Sequence, residues 1–208
     1  MMKQISIGIF TLILIIGLSN YDIRAQCGGV DSGYRGSSYW FREYKEKYIN
    51  KLSEIPQPAL SKIVGHLKER LGEQFYKKLK FDGGDVIDLN ELHRVEPYWK
   101  DQVVGTYVLL FYFSDKRKGL KAFYSKAIFD AEGKVVEEIN YPVISNAPQK
   151  AKFIPVTDAM KIAYKNDFIG KHITPYFEYL PEFDSFAWEI HDGSEGTQDE
   201  KCNEMVLI

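Results

Sequence analysis

An α+β fold is predicted for this chain, with N-terminal helices followed by an antiparallel sheet and then a second helix-plus-antiparallel-sheet unit. Three observations predict it. Apolar residues recur at helical spacing between residues 58 and 79. From residue 85 onward the pattern changes to short apolar and aromatic runs separated by turn residues. After a polar linker at residues 145–152, a helical stretch and two strand-like runs follow once more.

The start of the chain speaks to compartment. Lys3 supplies a positive charge, residues 5–18 (ISIGIFTLILIIGL) are uncharged and apolar, and a polar tail ends in Ile23-Arg24-Ala25. The apolar run is shorter than the roughly 20 residues that span a bilayer. Residues 1–25 therefore read as a secretory signal peptide cut between Ala25 and Gln26, which implies a periplasmic or secreted protein with no stable membrane anchor. A lipoprotein reading of Cys27 is disfavoured, because Gln26 rather than a small residue precedes it and Arg24 stands three places before it. The chain has two cysteines. In an oxidising compartment a Cys27–Cys202 bridge is favoured over two free thiols. Closing so long a loop would contribute about 4 to 5 kcal/mol in the chain-entropy model.

Residues 26–36 form a Gly-rich leader. Ser37 and Ser38 then offer an N-cap to a helix carrying Trp40, Tyr44, Tyr48 and Leu52 every four residues, ended by Pro56 and Pro58. A second helix begins near Pro58 with the stripe Leu60, Ile63, Val64, Leu67, Leu71, Phe75 and Leu79, broken or kinked at Gly72. Asp82-Gly83-Gly84-Asp85 reads as a turn. Four strands follow at residues 86–89, 103–113, 120–129 and 135–141, the last two joined as a hairpin by Asp130-Ala131-Glu132-Gly133. Residues 107–113 (YVLLFYF) have no polar gap, so both faces of that strand require cover, from material after the linker or from a partner.

That later material begins with Thr157 as the cap of a helix over residues 158–165. Strands at 173–180 and 185–191 pair around residues 181–184, and residues 205–208 form a final short strand. Alternation puts Phe186, Trp188 and Ile190 on one face, so Trp188 belongs to the core. The organisation is thus signal peptide (1–25), leader (26–36), helices with a four-stranded sheet (37–144) and a helix with strands (153–208).

The stretch PVTDAMKIAYKN at residues 155–166 followed by SFAWEIH at 185–191 resembles the helix and central strand of PepSY-type domains of exported bacterial proteins. Thr157, Ala159, Ile162 and Ala163 match on the helix, and Ala187, Trp188 and Ile190 on the strand. The likeness spans about the last quarter of the chain and lacks the small-residue and Gly turn that usually follows the last PepSY strand. These are packing positions and carry no catalytic role. The resemblance implies binding or inhibition of a partner in the cell envelope, a peptidase among the options.

Motifs for chemistry are absent from the sequence. His66, His93, His172 and His191 lack the spacing of zinc hydrolases, and there is no nucleophile elbow, phosphate loop or dinucleotide fingerprint. No catalytic residue, metal or cofactor is expected. The acidic loop at residues 192–200 reads as solvated rather than as a Ca²⁺ site, since it lacks the EF-hand ligand order. With 45% hydrophobic residues and a formal net charge of −2, the chain can build a core but shows no basic excess for nucleic acid. Two functional classes remain. One is a non-catalytic envelope protein that binds or inhibits a protein partner through Tyr176, Tyr179 and Phe183, in the manner of a peptidase inhibitor or toxin-immunity protein. The other is a hydrolase or small-ligand module whose polar groups would be His93, Glu96 and His191.

Overall fold

The computed structural model describes residues 39–166 and 173–192. The expected signal peptide (residues 1–25) and leader (26–36), Ser37, Ser38, both cysteines, the acidic loop after Asp192 and residues 205–208 lie outside them. Among the described residues, β1 (Lys47–Ile49), β2 (Lys80–Val86), β3 (Tyr107–Asp115), β4 (Leu120–Phe129) and β5 (Val135–Glu137) form one antiparallel sheet in that order. A second sheet pairs β6 (Ile173–Leu180) with β7 (Ser185–Asp192). The helices are α1 (Gln57–Tyr76), α2 (Leu89–Val95) and α3 (Val156–Lys165). The α+β class is as the periodicities predict.

The apolar stripe of α1 packs on the first face of the larger sheet. Ala59, Ile63, Leu67, Leu71 and Phe75 are buried, against Ile49, Leu109, Phe111, Phe113, Ala127 and Phe129. Gly72 adopts a φ of 71°, and its non-helical backbone kinks α1 at the expected place. Phe186, Trp188 and Ile190 of β7 and Ala159 and Ala163 of α3 join the same cluster. Phe113 alone has ring contacts with Phe75, Phe123, Tyr141, Phe153, Phe177 and Phe186. Trp188 is buried as expected, and its Nε1 donates to the Ile154 carbonyl at 2.9 Å. The material after the linker therefore thickens the first face instead of covering the second.

The second face is covered from the other end of the chain. Val108 and Ile128 are buried against Ile87, Leu92 and Tyr44, with Tyr39, Phe41 and Trp99 packed around them. This changes the reading of the first predicted helix, which does not form. Residues 39–46 run as an irregular strap into β1, with Tyr44 buried but Trp40 and Tyr48 exposed, so the four-residue spacing marks no common face. The physical reason is a long-range partner. The Glu96 carboxylate takes the N–H groups of Arg42, Glu43 and Tyr44 at 2.8, 2.8 and 3.0 Å, groups that a helix would direct at its own carbonyls.

Four smaller readings also change. Asp82-Gly83-Gly84-Asp85 is no turn but the middle of β2, with a bulge between Phe81 and Gly83. Its glycines serve close approach: a β-carbon on Gly84 would lie 2.6 Å from the Val108 carbonyl oxygen, and one on Gly83 would overlap the Tyr48 ring. The strand expected at 86–89 stops at Val86, because Asp88 accepts from the N–H groups of Asn90 and Glu91 and so caps α2. Finally, α3 starts at Val156 after Pro155 with no side-chain cap, so Thr157 does not act as one. The hairpin turn is as read, with Gly133 N–H donating to the Asp130 carbonyl and Gly133 at a φ of 79°. β5 is shorter than expected because a bond from Tyr141 N–H to the Ile139 carbonyl turns the chain and sends Tyr141 into the core.

Candidate functional site

The strap creates the most distinctive surface of the protein. Tyr39 and Phe41 stack at 5.6 Å, and both meet the Trp99 ring edge-on, at 5.8 and 5.1 Å. With residues 39 and 41 turned inward, Trp40 between them turns out and is 84% exposed. Tyr98, whose ring touches Trp99 at 5.6 Å, is 72% exposed. Val103, at 81%, lies two residues before Gly105, whose N–H donates to the Tyr39 hydroxyl. Tyr39, Phe41 and Trp99 thus form one aromatic corner, with Trp40 and Tyr98, their neighbours in the chain, and Val103 left exposed.

Glu96 holds this corner together. Besides the three strap N–H groups, it accepts from Trp99 Nε1 at 3.2 Å. The Tyr44 N–H, outweighing partial desolvation and helped by Glu43, Trp99 and Arg42, keeps the Glu96 carboxyl below the usual carboxylate range. Tyr44 adds a further tie, its hydroxyl accepting from Asp88 N–H at 2.7 Å.

Beside the strap, the second sheet face carries two polar groups that fit its apolar cover poorly. Asp85, 8% exposed, has its carboxyl pushed up to about 6 by burial and by the neighbouring Glu46. The Thr106 hydroxyl is buried without a hydrogen-bond partner. Burying an unpaired hydroxyl is unfavourable, so Thr106→Val should be neutral or stabilising by up to about 1 kcal/mol in urea denaturation. A loss of more than that would show that the hydroxyl has a role in the fold.

The residues singled out from sequence fare differently. Tyr176 and Phe183 are each 40% exposed, and alternation along β6 puts Tyr176 on the face opposite Tyr179. Alternation along β6 turns Tyr179 with Phe177 toward the core, and the Tyr179 hydroxyl donates to Asp184 at 3.0 Å. Asp184, at a φ of 45°, also receives Lys150 Nζ and Val143 N–H. Burial alone would raise the Asp184 carboxyl; the bonds from Lys150, Val143 and Tyr179 overcome this and hold it low. Asp184 is a joint between the β6–β7 turn and the linker. Asp184→Ala should destabilise the fold by about 2 kcal/mol, whereas Asp184→Asn, which tolerates the same backbone, should cost less; equal melting temperatures for both and the parent would refute this.

For the alternative chemistry, Glu96 is engaged by the strap and His93 lies in the last turn of α2, while His191 belongs to β7 of the other sheet, paired in register with Thr174. These positions do not bring the three groups to one element or one sheet. Among the described residues no group of three or more His, Cys, Asp or Glu could hold a metal ion, and no helix is long and apolar enough to cross a membrane. The helical spacing of Trp40, Tyr44, Tyr48 and Leu52 hides the aromatic corner. The alternation of Tyr39, Trp40 and Phe41, read with a period of two, carries the signal; nothing in the local sequence marks Glu96 as its anchor.

The fold and this corner define an α+β protein with an aromatic surface built by its N-terminal strap. No family model, curated protein or solved structure matches the chain.

Proposed function

We propose that this is an exported, non-catalytic protein of the cell envelope that binds or inhibits a protein partner, a peptidase inhibitor or toxin-immunity protein being specific forms of that role. The observation that carries the reading is the exposure of large apolar side chains beside the aromatic corner: Trp40, Tyr98 and Val103 are each more than 70% exposed, and Trp40 and Tyr98 adjoin the packed rings of Tyr39, Phe41 and Trp99 in the chain. Leaving such residues in water is unfavourable, and Trp and Tyr on a rigid frame are the side chains that most often anchor protein interfaces. The export part of the proposal rests on residues 1–25, and a Cys27–Cys202 bridge and the absence of nucleic acid partners go with it.

The test compares envelope crosslinking of the full-length chain with a Trp40→Ala/Tyr98→Ala variant and a Tyr176→Ala/Phe183→Ala variant. Loss of the same crosslinked partner from the first variant, with folding intact by circular dichroism, is the expected result. Retention in the first and loss in the second would move the interface to the β6–β7 turn. No partner under either mild or crosslinked conditions would count against binding altogether.

A further inference from the structure

Positive charge is concentrated at one end of the larger sheet. Residues 77–80 (KKLK) and 116–121 (KRKGLK) hold seven of the chain's 27 Lys and Arg and neither Asp nor Glu, although the whole chain has a formal net charge of −2. The topology brings the two segments together. Lys77 and Lys78 follow α1 and lead into β2, whose first residue, Lys80, pairs with Tyr112 of β3. Just beyond Tyr112, β3 ends at Asp115, and residues 116–118 turn the chain into β4. Both segments therefore lie opposite the end of the sheet where Lys47 of β1 pairs with Val86.

Lys77, Lys78, Lys80, Lys116, Arg117 and Lys121 are all exposed. Asp82 and Asp115 are the carboxylates next to them in the chain. Among the described residues, Arg117 alone of the six is within ion-pair distance of a carboxylate, Asp115 at 3.9 Å. Lys118 turns inward instead: its Nζ donates to the Phe153 carbonyl and lies 4.2 Å from the Phe153 ring centroid, which fastens the turn to the body. Like charges gathered in this way repel one another, and an anionic partner relieves the repulsion.

The layout selects among anionic partners. Lys77 and Lys78 continue from α1, which packs on the first face, whereas Lys80 shares the second face with Tyr112, since Phe111 and Phe113 are buried on the first. The cations thus surround the sheet end and do not line a groove on one face. A single polymer is tracked by cations along a groove. A plane of headgroups meets both sides of a sheet end at once. Leu79 packs against the core and Leu120 is buried within it, so neither segment offers an exposed leucine for insertion and charge alone carries the contact.

We propose that this end of the sheet docks on anionic lipid headgroups, holding the protein to a membrane surface reversibly and in a salt-dependent way. Such docking is not the anchor that a spanning helix gives, and it stands whether or not the aromatic corner binds a protein.

The test is co-sedimentation of the full-length chain with vesicles of phosphatidylcholine alone or with about one third phosphatidylglycerol. Residues 5–18 are common to every variant, so the readout is the excess bound to the anionic vesicles. The parent should show that excess and lose it at high salt. Lys116→Gln/Arg117→Gln/Lys121→Gln, which spares Lys118, should weaken the anionic binding about 100-fold, at roughly fivefold per cation. Lys77→Gln/Lys78→Gln/Lys80→Gln should do the same, and keeps the test decisive if the first variant misfolds by circular dichroism. Lys45→Gln/Lys47→Gln/Lys62→Gln removes the same charge from exposed positions elsewhere and should bind like the parent. Equal binding of the parent to both vesicles, or equal losses in all three variants, would overturn the proposal. So would binding of soluble polygalacturonate or single-stranded DNA by a parent with no excess on anionic vesicles, a result that would give the cluster to a linear polyanion.

Discussion

Phe113→Ala is expected to lower the free energy of unfolding by about 3 to 5 kcal/mol, the range for emptying a well-packed aromatic site. Phe113 is buried on the first face of the sheet and touches rings from α1, from β4, from Phe153 just after the linker and from both strands of the smaller sheet. The cavity would therefore sit where all of these meet, and no single neighbour can relax into it without leaving the others. Because the aromatic cluster is shared, the loss should appear in the whole molecule. Tryptophan fluorescence, to which Trp188 in the smaller sheet contributes with Trp40 and Trp99, and far-ultraviolet circular dichroism, which α1 dominates, should report one coincident transition in the parent and one, shifted to lower denaturant, in the variant. Two separated transitions in the parent would show that the helix-plus-strand unit at 153–192 folds apart from the larger sheet.

Asp85→Asn is expected to stabilise the protein at neutral pH. The folded carboxyl titrates at about 6 against 3.8 for an unperturbed aspartate, because burial and Glu46 both oppose its charged form. A raised folded value means that the native state binds the proton more tightly than the unfolded chain. The stabilising contribution is therefore full below about pH 4 and is lost as pH rises through about 6. A difference of about two pH units corresponds to ~3 kcal/mol at most. Glu96 and Asp184, both held low, act with the opposite sign and lose their contributions as pH falls. The measurement is thus the difference between parent and Asp85→Asn in urea denaturation from pH 4 to 8. The variant should gain on the parent between about pH 4 and 6 and hold that gain to pH 8; parallel curves from pH 4 to 6 would refute a strained Asp85. The result also bears on the strap, since Asp85 pairs with Tyr48 of β1 across the sheet and is the charge nearest that edge to carry such a penalty.

Much of the architecture is legible from local pattern. The stripe Ile63, Leu67, Leu71 and Phe75 is a helix face in any context, and the kink at Gly72 follows from a residue free to take positive φ. The runs at 120–129 and 173–180 become strands with those bounds, and Asp130 to Gly133 turns as its residues require. Local pattern fails where a distant group intervenes. Residues 37–52 have helical spacing and a Ser cap, yet a carboxylate 52 to 54 residues away claims three of their N–H groups. Asp82 to Asp85 has turn composition, yet the glycines serve the approach of Tyr48 and Val108 within a strand.

Periodicity within one segment is enough for the α+β class, the long helix α1, the strands at 120–129 and 173–180 and the burial of Trp188. Tertiary contacts alone settle which layer covers which face, that residues 39–46 are a strap and that Tyr39 and Phe41 pack on Trp99. Those outcomes depend on contacts between residues far apart in the chain, and the energy of a Glu96 carboxylate meeting three amides, or of a Trp99 ring meeting Tyr39 and Phe41, has no signature in the neighbours of either partner.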